Sequence, residues 1–179
     1  MLPPGSRIGI LGGGQLGRMI AIAAAELGYR CHIFCPEAEA PAADVAAAWT
    51  QAGYDDAAAL RAFAGLVDVI TLEFENIPVD AVAFLAALKP VRPGAEVLRI
   101  TQDRLLEKDF ARALGLGTAP YAPVGSEGEA AEAAAAIPGR AVLKTRRFGY
   151  DGKGQRLIAA EGERAGAIRE AWAEMGGAP

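Results

Sequence analysis

Thiols and imidazoles are scarce in this chain. There are two cysteines, Cys31 and Cys35, and one histidine, His32, between them. On a strand the two cysteine Cα atoms lie roughly 13 Å apart at ~3.3 Å per residue. A disulfide needs less than about 7 Å, and a lone "CHIFC" lacks the paired spacing of a zinc site, so two buried free thiols are expected. Long apolar runs are also missing. The alanine-rich stretches are short, interrupted by charge and well under the ~18 residues of a membrane span. Pro3, Pro4 and Gly5 stand where the apolar region of a signal peptide would start. A cytoplasmic protein with no membrane partner is the expectation. Positive charge is not in excess, since 18 Lys and Arg face 22 Asp and Glu for a net charge of -4. A phosphate-backbone partner needs a basic face, so no nucleic-acid partner is expected.

What the chain does have is apolar material and glycine. Its 179 residues are 52% hydrophobic and include 22 glycines, which suits one or two globular domains. "RIGIL" at 7–11 reads as a buried strand. "QLGRMIAIAAAELG" follows with Leu16, Met19, Ile20, Ala23 and Leu27 at helical spacing and Gly28 as its C-cap. "YRCHIFC" is a second strand, "DDAAALRAFAGL" a helix opened by acids, "VDVITLEF" a third strand, and "PVDAVAFLAAL" a helix with proline in its first turn. Strands alternating with helices imply a parallel sheet covered on both faces.

The rhythm changes near residue 95. "AEVLRITQDRLLEKDFARALGLG" is a longer helical stretch in two pieces, with Arg104 and Lys108 four apart on one face. "TAPYAPVG" is proline-punctuated and reads as a connection between domains. "SEGEAAEAAAAIPG" is a short helix whose Ser126 and Glu129 fit a capping box. "RAVLKTRR" and "GQRLI" read as two strands, and an amphipathic helix closes the chain from about Glu161 to Met175.

Two glycine clusters carry the chemistry. Gly12, Gly14 and Gly17 satisfy G-x-G-x-x-G between a strand and a helix, the setting of a dinucleotide fingerprint. The alternative reading is that these glycines only make a tight strand-to-helix turn. A dinucleotide site also needs an acid about 20 positions on; Glu37 is at that distance, with Glu39 as available. Gln15 and Leu16 follow the glycines at the mouth of the helix. Glu73, Glu75 and Asn76 in "TLEFENIP" fall at the carboxyl end of a parallel strand, where open α/β sheets bind ligands. Strand alternation puts Glu73 and Glu75 on one face. Two carboxylates there repel phosphates and suit amines or hydroxyls.

The second cluster is "RRFGYDGKGQ", residues 146–155. Asp151-Gly152 between alternating runs is a strong hairpin signal. Gly149, Gly152 and Gly154 exceed what a tight turn needs, and Arg146, Arg147 and Lys153 crowd beside them, with Lys144 on the preceding strand. Glycines with exposed N–H groups among cations suit a flap over a polyphosphate. The lysine and hydroxyl spacing is not that of a Walker A loop.

"GILGGGQLGRM", "TLEFENIP", "TQDRLLEK" and "LKTRRFGYDGKGQ", in this order and spacing, resemble the 5-(carboxyamino)imidazole ribonucleotide synthases, ATP-grasp ligases of purine biosynthesis. The resemblance runs from Ile8 to about Ile158. It implies an α/β fold: a Rossmann-like, parallel-sheet pre-ATP-grasp domain over 1–100, binding substrate, then an incomplete α+β ATP-grasp lid with its linker helix over 101–179. It implies ATP-dependent carboxylation of aminoimidazole ribonucleotide by bicarbonate through carboxyphosphate, with ATP and Mg2+ as cofactors and a homodimeric assembly. By motif position, Arg104 and Lys144 contact the ATP phosphates, and Gly149, Tyr150, Asp151, Gly152, Lys153, Gly154 and Gln155 form the flap over them. Lys144, Lys153 and Asp151 are the catalytic candidates, with Tyr150 also within reach of substrate or bicarbonate. Gly14, Gln15, Leu16, Glu73 and Asn76 face the ribonucleotide.

Family members are roughly twice this length. The adenine hinge and the magnesium ligands are expected in the part not represented here, so no metal ligand is assigned and the chain alone is expected to be inactive. The rival readings are an NAD(P)-dependent oxidoreductase, another ATP-grasp carboxylase or ligase, and a non-catalytic binding module.

Overall fold

The computed structural model describes residues 2–149, 153–159 and 164–176. The chain divides into two compact units, Met1–Arg99 and Ile100–Pro179.

The first unit is built on a parallel sheet. Strand β1 (Arg7–Leu11) pairs with β2 (Arg30–Cys35) on one side and β4 (Val69–Leu72) on the other, and β3 (Ala48–Gln51) is the outer neighbour of β2. The order β3-β2-β1-β4 makes the chain turn outward in opposite directions from β1. The crevice between the carboxyl ends of β1 and β4 is therefore the topological switch point, where such sheets bind ligands.

Period-two alternation sorts the two faces. Ile10, Cys31, Ile33 and Cys35 pack with Ala21 and Ala24 of helix α1 (Gln15–Glu26). Leu11, Phe34 and Ile70 pack with Leu60 and Phe63 of α2 (Ala57–Gly65) and with Val82 and Leu85 of α3 (Val79–Ala86). Leu98 of α4 (Ala95–Thr101) joins that second core. The Phe63 ring lies over Gly9, where a β-carbon would come within 2.6 Å of its edge. A glycine in the central strand is the condition for that ring to reach the sheet. The helices thus cover both faces, as the alternation implies.

Both cysteines are buried free thiols, and burial pushes both thiols up. His32 is buried, bonds Thr50 at 2.8 Å and meets Phe63 edge-on, with ring centroids 5.2 Å apart. Burial, then the charge of Arg7, holds its pKa below the ordinary value. It is a core residue.

Three readings of the first unit change. "AWTQ" forms an additional strand, β3, whose residues are mostly exposed and so carry no apolar pattern. The strand read as "VDVITLEF" stops at Leu72. Residues 73–77 bend and turn, so strand alternation does not govern Glu73 and Glu75.

In the second unit α6 (Glu127–Ala136) and α7 (Arg164–Glu174) pack on one face of an antiparallel pair, β5 (Ala141–Lys144) and β6 (Gln155–Ile158). Ala130, Ala134, Ile158, Ile168 and Ala171 form this small core. Ser126 caps α6 by accepting from the Glu129 N–H at 3.2 Å, while the Glu129 carboxylate accepts from the Gly125 N–H at 2.7 Å. The capping box is present with its return bond shifted by one residue. Helix α5 (Arg104–Ala113) has no buried residue. The proline-punctuated stretch lies inside this unit. Its Tyr121 folds back on α5, donating to Asp109 at 2.6 Å and lying under the Lys108 ammonium.

Lys144 and Gln155 are the last pair of β5 and β6, so residues 145–154 connect the strands. The antiparallel pair is the hairpin that Asp151-Gly152 signals, but β5 ends at Lys144, short of the Arg147 end of "RAVLKTRR", so the connection is longer than read. Tyr150, Asp151 and Gly152 lie outside the described residues.

Candidate functional site

At the switch point of the first unit, the glycine turn leaves β1 and enters α1. Gly12 has φ +106°, open only to glycine. The turn is held by the Gly12 N–H donating to Phe34 O at 2.9 Å and the Ala42 N–H donating to Gly13 O at 2.9 Å. No side chain of the turn itself caps α1. Glu73 does so from the end of β4: Oε1 accepts from the Gly14 N–H at 3.1 Å and Oε2 from the Gly17 N–H at 2.7 Å. The positive end of the helix thus already faces an internal carboxylate.

The glycines follow from this contact. A β-carbon on Gly14 would stand 2.8 Å from Glu73 Oε1, and one on Gly13 would press on Ala40 at 2.7 Å. On Gly17 it would meet Ala42 at 3.2 Å. The G-x-G-x-x-G pattern is accounted for by close packing around Glu73 and residues 35–42. A dinucleotide pyrophosphate needs those same N–H groups and would meet a negative charge there. Gln15 and Leu16 are exposed on the first turn of α1, Glu73 and Asn76 are partly buried, and Glu37 is exposed. The structure brings Gly14 and Glu73 into contact, and places Gln15, Leu16 and Asn76 on the two turns that flank the crevice.

The second unit holds the cation cluster. Lys144 is exposed at the end of β5 opposite Gln155. Arg104, at the start of α5, donates from Nη2 to Gly149 O at 2.8 Å. Gly149 sits where a β-carbon would lie 3.3 Å from that guanidinium and 3.2 Å from Lys153 O. Gly154, at φ +64°, accepts at its carbonyl oxygen from the Thr145 N–H at 2.9 Å. Arg104 is therefore in contact with the glycine segment, and one guanidinium has N–H groups to spare beyond that bond.

The sequence did not mark how the neighbouring arginines are held. Arg146 donates to both carboxylate oxygens of Asp103, at 3.1 and 2.5 Å, and Arg147 to Gln102 Oε1 at 2.6 Å. Asp103 also caps α5 through the Leu105 and Leu106 N–H groups. Burial alone would raise its pKa. The Arg146 hydrogen bond, the two N–H groups and the Arg146 charge together hold it below the ordinary carboxylate value. The available signal was Asp103 itself, an aspartate immediately before a helical pattern.

Among the described residues, no group of three or more His, Cys, Asp or Glu side chains is placed to hold a metal. No described helix is long and apolar enough to cross a membrane.

The order of parts, a parallel-sheet unit and then a helix-backed hairpin with a glycine-and-cation connection, defines the front of an ATP-grasp protein. The family model for the ribonucleotide synthetase preATP-grasp domain matches residues 6–102, and that for the ATP-grasp domain matches 109–177. The chain is 51% identical over 158 residues to the N5-carboxyaminoimidazole ribonucleotide synthase of Brucella melitensis, covering 88% of this chain and 44% of that protein. It is 44% identical over 173 residues to the synthase of Pseudomonas aeruginosa, covering 97% of this chain and 47% of that one. The Staphylococcus aureus N5-carboxyaminoimidazole synthetase solved with ADP superposes with a TM-score of 0.90 at 35% identity, covering 99% of this chain and 46% of the other. The chain belongs to the N5-carboxyaminoimidazole ribonucleotide synthase family of the ATP-grasp superfamily, and spans about half the length of these relatives.

Proposed function

We propose that the chain contributes the ribonucleotide-binding domain and the phosphate-covering lid of an enzyme that carboxylates aminoimidazole ribonucleotide with ATP and bicarbonate. In that reaction bicarbonate takes the γ-phosphoryl group of ATP, releasing ADP and giving carboxyphosphate, and the carboxyl group passes to the exocyclic amine with release of inorganic phosphate and of the amine's proton. One observation supports this reading above the others: the Arg104 guanidinium lies 2.8 Å from Gly149 O, so the arginine assigned to phosphate touches the glycine segment assigned to cover it.

The residue types suit the chemistry. Phosphoryl transfer asks for positioned positive charge more than for a nucleophile. Arg104 and Lys144 supply that charge, and the 149–155 segment, with Lys153, shields the reacting phosphate from water. Asp151 and Tyr150 belong to the same assignment by motif position. In the first unit Gln15, Leu16, Glu73 and Asn76 offer an amide, an apolar surface and a carboxylate to a sugar and an amine. Glu73 keeps lone pairs beyond its two backbone bonds for hydroxyl donors. Mg2+ would neutralise phosphate charge, but its protein ligands are not assigned among the described residues. A homodimer in the cytoplasm comes with the same reading. The dinucleotide alternative loses its support, because Glu73 occupies the N–H groups that a pyrophosphate would need.

The test joins this chain to the C-terminal half of the Brucella melitensis relative and follows ADP formation. ADP release that requires both bicarbonate and aminoimidazole ribonucleotide is expected. Release that ignores either substrate, or thermal stabilisation by NADH and not by MgATP, would sink the proposal.

A further inference from the structure

Three consecutive residues hold the entry to the glycine segment. Gln102 Oε1 accepts from Arg147, the Asp103 carboxylate accepts twice from Arg146, and Arg104 donates through both its backbone N–H, to Arg146 O at 3.0 Å, and its guanidinium, to Gly149 O. Asp103 is the one acidic residue buried among the described residues. Its two oxygens accept four hydrogen bonds, two from the first turn of α5 and two from Arg146.

A second observation points to the same corner. Phe148, between the two anchored residues Arg147 and Gly149, has φ +60°, and its side chain is exposed. A bulky residue in the left-handed region persists only where its surroundings impose it. Phe148 has no burial of its own to impose it, whereas its neighbours on both sides are tied to residues 102–104.

We propose that Gln102, Asp103 and Arg104 form a clasp, in which Gln102 and Asp103 are positioning residues that hold residues 146–149, and with them the Arg104 guanidinium, in the register that phosphate contact requires. The clasp assigns a purpose to the whole Gln-Asp-Arg motif, of which only the arginine has a direct role in the proposed reaction. Its phosphate half rests on the ATP reading; its geometric half does not.

The experiment uses the chain itself and 1H–15N NMR of the Arg104 amide, the Arg104 Nε–H and the Gly149 amide. Asp103→Ser keeps a side-chain oxygen able to cap α5 but is too short to bridge to Arg146. The clasp predicts that Asp103→Ser moves all three signals together. It also predicts that exchange of the Arg104 amide quickens by about tenfold or more as that corner opens locally. Helix α6, which shares none of these contacts, keeps its signals. Gln102→Ala, which leaves the cap intact, moves Gly149 in the same direction. If Asp103→Ser and Gln102→Ala leave Arg104 and Gly149 unmoved, the clasp is wrong, whatever the nucleotide does. If the variants behave as expected while MgATP leaves the Arg104 and Gly149 signals unmoved in the protein joined to the Brucella melitensis C-terminal half, the phosphate half is overturned and the ATP reading of Arg104 falls with it.

Discussion

Glu73 reaches from the end of β4 to the mouth of α1 and accepts from both Gly14 and Gly17, at 3.1 and 2.7 Å. A carboxylate 59 and 56 positions further along the chain does the work of an N-cap. It turns a glycine pattern associated with phosphate binding into an internal joint between two loops. Glu73→Gln is the sharp test. The amide has one acceptor oxygen, so one backbone N–H faces another donor, and the charge at the helix terminus is lost. The expected cost is about 1–3 kcal/mol, read as a lower denaturation midpoint of the chain in urea. An unchanged midpoint would mean the joint adds nothing to stability.

Gly9 and Phe63 offer a second test, in packing alone. Gly9→Ala puts a methyl group 2.6 Å from the Phe63 ring, and overpacking of this kind costs about 1–3 kcal/mol. Phe63→Leu in the same chain should recover part of that loss, since the ring edge is what collides. If the two changes simply add, the glycine is there for another reason.

Much of the fold could be read from residue spacing. Strands alternating with helices implied a parallel sheet covered on both faces, but the apolar residues at helical spacing in α1 did not mark its packed side: Leu16, Met19 and Leu27 are exposed, and the helix packs through Ala21 and Ala24. Strand β3 escaped because an exposed edge of four residues has no apolar signature. The end of β4 was misread because "TLEFEN" alternates in sequence, while Glu73 is drawn out of the strand by two backbone N–H groups far away in the chain. The same holds for the second site. Motif order singled out Arg104 and Lys144 as candidates, but the Asp103–Arg146 contact joins residues 43 positions apart, and no local pattern reports such a pair.

Cys31 and Cys35 give a prediction about reactivity. Burial raises both thiol pKa values, and the thiolate is the reactive form. Both thiols should resist a disulfide reagent at pH 8 in the native chain and react once denaturant exposes them. Fast modification of either one in the folded chain would contradict the burial of β2.

The Asp103–Arg146 pair sets a pH dependence. The folded pKa of Asp103 lies below the ordinary 3.8, so the unfolded chain takes up the proton first as pH falls. The stabilising contribution is complete above about pH 4 to 5, and is lost as pH drops through the folded value. The Arg146 side chain is 43% exposed, so screening reduces the contribution to about 1 kcal/mol. Asn caps a helix as well as Asp does, so Asp103→Asn isolates the charge. Wild type and Asp103→Asn should differ by that amount near pH 7 and converge as pH falls through the folded pKa of Asp103. A constant gap across this range would mean that the ion pair is not its source.

Lys144 tests the proposed chemistry itself. It is exposed at the end of β5, so its removal should leave the melting temperature of the chain within about 1 °C, as surface substitutions usually do. Loss of one charge-assisted contact to a transferring phosphate is worth ~1.5–3 kcal/mol, which is roughly a ten- to hundredfold fall in rate. In the protein joined to the Brucella melitensis C-terminal half, Lys144→Ala should therefore lower kcat/KM for ATP by that factor. Lys144→Arg, which keeps the charge but changes its geometry, should recover only part. Activity and ATP affinity equal to wild type in Lys144→Ala would remove Lys144 from the phosphate site.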